Sequence, residues 1–583
     1  MKSRRLTATV ILFTSFYLAA AASECGASDQ ADDAPEQSYR RLSVKDYVDK
    51  MKAGWIGQMA GVGWGAPTEF RYRGRIIPSG EMPAWRPETI NQFNQDDLYV
   101  EMTYLRSLER HGLGLTLREA GIDFANSGYK TWHASRAARD NLRAGVAPPD
   151  SGHPFLSRHA DDIDFQIEAD FSGLIAPGLP NAAIALGETF GSIVNYGDGL
   201  YAGQFVGGMY AEAFFEDDPV KIVEAGLRCV PPGSQYAAAI GDVLKWHSEN
   251  GDDWAATWER VNDKYHLDRA HRRFSCSGAA DPFNIDAKIN GAYIAIGLLY
   301  GAGDLDRTIV LATRCGQDSD CNPSNAAGVI FATKGFDALP EKYTSALDSE
   351  TLFSHTAYNF TSLVGACEKL ARAIVVANGG RIEKDRAGDE VFVIPVETPT
   401  PSALVQCWNP GPIAQSRFTE EEMARIEQNF YDDRPGARSV NGDVEAFAPG
   451  WRAANCGAAM DPGLHPSLQG KKNILLTHPL DRDTGCVLFK RTTIPAEGKT
   501  TLHIEAGHHP RGDWILSVRA DRRILFHEPV GRSTTTMGWR TVEIDLSDFA
   551  GESVLVEVGN LPSGWAWEAA YWAEISIETE TSE

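Results

Sequence analysis

The hydrophobic period of this chain changes near residue 390, and the change divides the fold. Before it, apolar residues recur at helical spacing: Leu98, Met102, Leu105 and Leu108 share one face, and Asn181–Leu186, Ala287–Tyr300 and Leu305–Arg314 carry similar stripes. Strand-like alternation is nearly absent until Val391-Phe392-Val393-Ile394. From Asn473 it dominates, through Ile474–Leu476, Cys486–Phe489, Thr500–Ile504, Trp514–Val518, Ile524–Phe526, Arg540–Ile544, Val554–Val558 and Ala573–Ile577. Short strands separated by turn residues specify a β-sandwich or jelly roll, and the run before them specifies a core of packed helices. With 583 residues, 43% of them hydrophobic, the chain can fill two or three domains. The expected fold is multidomain: an all-α domain over 44–380, a connector with a short strand and a short helix over 381–470, and a β-sandwich over 471–583. Pro395, Pro399, Pro401, Pro410 and Pro412 mark the connector. The switch of fold type across it predicts a sandwich that folds alone and is dispensable for chemistry on small substrates.

Met1-Lys2-Ser3-Arg4-Arg5, followed by an apolar run from Leu6 to Ala22, reads as a signal peptide over 1–22. Residues 23–43 are polar and read as a disordered linker. No later apolar run is long enough to span a bilayer, so the mature chain is expected to be secreted or periplasmic. Cys25 leaves a lipoprotein as the alternative, although Glu24 is not the small residue expected before a lipidated cysteine. A net charge of −24 disfavours nucleic acid as a partner, because phosphate contact needs clustered Lys and Arg. The cysteines contain no C-x-x-C pair, which excludes a zinc ribbon.

Four stretches carry the chemistry. Cys315-Gly316-Gln317-Asp318-Ser319-Asp320-Cys321-Asn322-Pro323 sets two carboxylates between apolar helical segments, with Asn322 reading as an N-cap and Pro323 as the first helical residue. Carboxylates there are costly to bury without a cation, and a hard divalent ion with oxygen ligands would hold them; a helix cap and a solvated turn would use the same residues. Asp96 and Asp97 open another helix, where acids also suit the helix dipole. If the two acidic starts meet, four carboxylates at one point cannot all ionise without cations between them. Gly54, Gly57, Gly61 and Gly65 form a stripe that lets a helix pack closely, and that helix ends in a turn presenting Glu69. Finally, Asp161, Asp162, Asp164, Glu168 and Asp170 alternate with Ile163, Phe165, Ile167 and Phe171, ahead of a Gly- and Pro-bearing loop that reaches Asn181. This stretch reads as a cleft wall, with Asp162, Asp164, Glu168 and Asn181 as candidate substrate-binding residues. A solvated acidic face is the other reading.

In their order over residues 45–375, the Gly-rich helix ending in Glu69, the pair Asp96-Asp97 and the Asp318-x-Asp320 turn resemble the ADP-ribosylglycohydrolase family, of the dinitrogenase-reductase activating type. Motifs of that family read roughly G-x-x-x-G-D-x-x-G-x-x-x-E, T-D-D-T and G-x-D-T-D-T. The resemblance implies an all-α fold, two Mg²⁺ ions and hydrolysis of a glycosidic bond to ribose. Carried over by position, Glu69, Asp96, Asp97, Asp318 and Asp320 become metal-site residues; of these, Glu69 and Asp97 are the expected catalytic residues, Glu69 as general acid/base or as a water-positioning ligand. The cofactor expectation is Mg²⁺, one ion or two, with Mn²⁺ or Ca²⁺ as substitutes. The chain departs from the pattern at Val62, which stands for the first-motif Asp, at Gln95 and Leu98, which stand for Thr, and at Ser319 and Cys321. The C-terminal strands resemble galactose-binding-like domains, in which Trp565, Trp567, Tyr571 and Trp572 would form either a sugar-stacking patch or core.

These readings combine into an exported, metal-dependent glycoside hydrolase acting on a glycan or furanoside-like carbohydrate. One alternative is a hydrolase of ADP-ribosylated protein or small molecules; Arg71, Arg73 and Arg75, alternating after Glu69, would suit a phosphate. Another is a metal-free glycosidase using two of the carboxylates as acid and as nucleophile or base. A third is a non-catalytic exported binding protein.

Overall fold

A computed structural model describes residues 37–272, 282–427 and 437–580, except 483 and 522. The expected signal peptide, Cys25 and most of the expected linker lie outside these residues. The chain has a helical N-terminal region and C-terminal antiparallel sheets, as the change of hydrophobic period requires. No helix among the described residues is long and apolar enough to cross a membrane.

The first helix, Val44–Gly65, is the hub, capped by the Ser43 hydroxyl accepting from Asp46 N–H. Its glycines are required by distance. A Cβ at Gly57 would lie 2.4 Å from the Ala327 carbonyl oxygen, at Gly61 2.2 Å from that of Pro323, and at Gly65 2.0 Å from that of Ser319. The helix Cys321–Lys334 and the turn before it are thereby pressed against the first helix, backbone on backbone. Gly61→Ala is expected to lower stability by about 1–3 kcal/mol, because the opposing atoms are backbone and cannot rotate away; the shift in urea midpoint measures it.

Two parts of the expected layout are corrected. Tyr39–Ser43 is a strand, not linker: it pairs antiparallel with Glu390–Pro395, which also pairs with Arg381–Lys384. The sandwich begins before residue 471. Its sheets run, in strand order, Arg523–Val530, Trp514–Ala520, Ser553–Leu561, Cys486–Thr493, Arg452–Ala454 and Trp539–Asp545, Lys499–His508, Ala570–Glu580, Lys471–Thr477, Gly463–Leu468. Val440, Val444, Ala448 and Trp451 fill the same core, so much of the expected connector belongs to the sandwich.

The remaining connector is strapped down. Asp150 accepts backbone N–H groups of Ala414 (2.9 Å) and Ser416 (2.6 Å), the Tyr201 hydroxyl accepts from Val405 N–H (2.7 Å), and Asn181 accepts from Thr400 N–H (2.8 Å). The sandwich is also docked on the helices. Trp514, Leu516 and Val518 point into its core, while Phe489, Leu555 and Ala454 join the helical core instead. At the same seam Arg491 donates to the Arg143 carbonyl (2.9 Å).

Candidate active site

The first helix hands the chain to a short turn, Ala66–Thr68, and then to Glu69. This turn is laced to the Asp318 loop. Phe70 N–H donates to Gln317 O (3.0 Å), Gln317 N–H donates to Tyr72 O (3.2 Å), and the Thr68 and Ser319 hydroxyls share a 2.8 Å hydrogen bond. Gly316 takes φ +80°, and a Cβ there would meet the Tyr72 carbonyl oxygen at 2.5 Å. Ser319, which stands at a departure from the family motif, therefore supports the loop from behind.

The helix after Asp318 starts two residues earlier than its proline suggests. Asp320 occupies the N-cap position, Cys321 is the first helical residue, and Pro323 lies within the first turn. Proline is tolerated there because first-turn N–H groups have no intrahelical acceptor. Asn322 does not cap; its side chain donates to Asn290 Oδ1 (2.8 Å). The Asp320 side chain makes no capping bond either, so it is available to the cleft.

A cleft of about 1220 Å³ opens over these elements, and Glu69, Asp96, Asp318, Asp320 and Cys321 line one part of it. Asp97 does not line it. Successive helical residues point about 100° apart, so when Asp96 faces the cleft Asp97 turns into the packing. Asp97 is fully buried and accepts the Cys321 S–H (3.3 Å). The expected catalytic role for Asp97 gives way to a place beneath the cleft floor.

The electrostatics are those of crowded acids. Withdrawal from water, then the charges of Asp320 and Asp96, push the Glu69 carboxyl up to about 7. Burial, then Asp320, raises Asp96 to about 6. Asp318 is driven well above the usual carboxylate range by burial and by Asp320, Glu69 and Asp97. One oxygen each of Asp97, Asp318 and Asp320 is buried without a hydrogen-bond partner among the described residues. The donor atoms of Asp318, Asp320 and Cys321 lie within 4.8 Å of one another. Two buried carboxylates with unsatisfied oxygens and donor atoms this close fit a divalent cation, which would reverse the local cost of ionisation. In the cation-free protein, the folded state holds protons that the unfolded chain has released between about pH 4 and 7. Stability without cation is therefore expected to fall as pH rises through that window. A divalent cation should raise the thermal midpoint more at about pH 8 than at about pH 5, as thermal scans with and without chelator would show.

The acidic stretch after His159 is buried, and each carboxylate has a different employment. Asp161 pairs with the buried Lys288 (3.1 Å), which Asp286 also contacts (2.8 Å). Asp162 bonds His159 Nδ1 (2.7 Å). Asp164 accepts Ala134 N–H (3.1 Å) and Ser135 N–H (2.8 Å), the start of the helix His133–Arg143. Glu168 accepts from Tyr104 and Ser135 hydroxyls, both at 2.9 Å. Of the four residues expected to bind substrate, Asp164 and Glu168 line the cleft; Asp162 is buried beside His159, and Asn181 holds the connector. Arg71, Arg73 and Arg75 do not line it either; Arg73 lies over Phe283 and Arg75 over Tyr72.

Three contributors to the cleft were not anticipated. Arg136, Arg139 and Arg143 line it from one helix at i, i+3 and i+7, a spacing visible in the sequence. Arg139 donates to Tyr129 O (2.6 Å) and Arg143 to Ala125 O (2.8 Å), fixing the segment that bears Trp132. Trp132, 44% exposed, is itself a lining residue. Opposite in sequence, Thr484, Arg519, Asp521 and Glu557 of the sandwich complete the lining. Of the four aromatics expected to form a sugar patch or core, Tyr571 and Trp572 are buried, while Trp565 and Trp567 are exposed, the latter stacked on His509 at 4.7 Å.

Comparison with known proteins adds the family. The ADP-ribosylglycohydrolase family model matches residues 43–378, more than half of the chain. The chain belongs to the ADP-ribosylglycohydrolase family. Among curated proteins none matches it. Among solved structures, an ADP-ribosylglycohydrolase-related protein complex is similar at 16% identity over 57% of this chain and 99% of that one, with a TM-score of 0.37. A xylan-binding domain from Paenibacillus barcinonensis is similar at 13% identity over 23% of this chain and 89% of that one, with a TM-score of 0.18. The ADP-ribosylglycohydrolase match covers the helices and the acidic loops and stops before the sandwich, so the sandwich side of the cleft lies outside the matched residues.

Proposed function

We propose that this ADP-ribosylglycohydrolase-family hydrolase is exported and cleaves a glycosidic bond of a carbohydrate substrate with the help of a divalent cation held by Glu69, Asp96, Asp318 and Asp320. The observation that carries the proposal is the approach of Asp318 and Asp320, each with a buried oxygen unsatisfied among the described residues, in a cleft of about 1220 Å³ that Glu69 and Asp96 also line. When bound, such a cation orients substrate oxygens and generates a hydrolytic water. Glu69 reaches the cleft from the turn after the first helix, beside Asp96, Asp318 and Asp320, which suits it to help hold the cation or to position the hydrolytic water. Asp97 positions Cys321 from below. Lys130 covers one face of the exposed Trp132 indole at 3.6 Å, which leaves the other for a sugar ring, and the space beyond the acids exceeds what one pentose needs. Export rests on the basic start and apolar run of residues 1–22.

A second substrate reading has its own observation. Arg136 on the cleft wall, with the positive charge of Arg139 and Arg143 along the same helix, would suit an anionic group, as in an ADP-ribosyl substrate. The test compares kcat/KM on aryl furanosides and oligosaccharides with that on ADP-ribosyl-arginine. Faster cleavage of the glycosides supports the proposal. Faster cleavage of ADP-ribosyl-arginine, with the preference lost in Arg136→Ala, transfers the assignment to the nucleotide substrate.

A further inference from the structure

The donor set at the acid cluster contains sulfur. Cys321 is the first residue of its helix, lines the cleft, and brings Sγ within 4.8 Å of donor oxygens of both Asp318 and Asp320. Asp318 and Asp320 are 3% and 4% exposed, and each keeps one oxygen with no hydrogen-bond partner among the described residues. The present employment of Cys321 is a 3.3 Å S–H bond to Asp97. A thiol is a weak donor, so in this role it compensates buried carboxylates less well than a hydroxyl of similar size would. As a metal ligand it changes the site. Mg²⁺ demands an octahedral shell of oxygens, whereas a thiolate among carboxylates suits borderline first-row ions.

We infer that Cys321 ligates the cation through sulfur together with Asp318 and Asp320, and that the site thereby selects an ion of the Zn²⁺ or Co²⁺ type over Mg²⁺. This deepens the proposed function and rests on its reading that the cleft holds a divalent cation.

The test uses the full chain, stripped with chelator and reloaded with single metals. X-ray absorption of the Zn²⁺-loaded protein should show a sulfur scatterer at about 2.3 Å, and this measurement needs no variant. Co²⁺ loading should give a near-ultraviolet sulfur-to-cobalt band that disappears in Cys321→Ser and in Cys321→Thr. The ratio of Zn²⁺ to Mg²⁺ affinity should fall by about tenfold or more in either variant, with Mg²⁺ affinity held or improved. Zn²⁺ bound in an oxygen-only shell overturns the inference alone, as does an unchanged affinity ratio. Failure of every divalent ion to bind the wild-type protein overturns the inference and the cation reading together.

Discussion

Asp318→Asn is expected to abolish turnover and to weaken divalent-cation binding by at least about 100-fold, while the protein remains folded. Loss of a mere supporting residue around a metal costs about 10- to 100-fold, so loss of a direct ligand should cost more. Asp318 is buried, lies near the charges of Asp320, Glu69 and Asp97, and has an oxygen that nothing among the described residues satisfies. The same substitution removes a like charge from a crowded group. The variant should therefore be more stable than the wild type when both are free of cation at about pH 8, and this advantage should vanish at about pH 5, where the cluster holds its protons. Isothermal titration with the metal and thermal scans at both pH values read the two halves. A purely structural aspartate would give the opposite sign on stability, and unchanged cation binding in the variant would remove the site.

Excision of residues 437–583 is expected to destroy activity even on small glycosides. Phe489 and Leu555 are buried in the helical core, and Val487 packs against it. Withdrawing three such side chains removes about 4–6 kcal/mol of burial, before the newly exposed helical surface is counted. The excision also removes Thr484, Arg519, Asp521 and Glu557 from the cleft. Leu555→Glu in the full chain probes the seam without deletion and should lower the thermal midpoint by several degrees. A truncated protein with an unchanged midpoint and full turnover would restore the view, drawn from the Pro-rich connector, that the sandwich is a separable appendage.

How much of this was legible in the sequence depends on the range of the interaction. The glycines at 57, 61 and 65 announced a close helix contact correctly because their spacing is local, but their partners, Ala327, Pro323 and Ser319, are distant in sequence. Asp318 and Asp320 stood out as carboxylates between apolar segments. The pair Asp96-Asp97 was visible as a pair, yet which member faces the cleft depends on helix phase against a neighbour. Tyr39–Ser43 looked like linker because its strand partner, Glu390–Pro395, lies about 350 residues away. Asn181 looked like a ligand because polar loop residues often are, and it serves the connector instead. In the sandwich, alternation shows that Phe489, Leu555 and Glu557 face away from the core formed by Leu488, Val556 and Val558. It carries no information on what covers that face, so the second side of the cleft was invisible until the fold was in hand.

The central claim, a cation-dependent hydrolase in this cleft, is tested most directly by sugar release from a panel of glycosides and ADP-ribosyl-arginine, using protein first stripped by chelator and then reloaded with metal. The expected result is turnover that disappears on chelation, returns on adding a divalent cation, and does not return in Asp318→Asn. Turnover that persists through complete chelation would contradict the account and assign the chemistry to a metal-free pair of carboxylates; no turnover on any member, with glycan binding intact, would contradict it in favour of a binding protein.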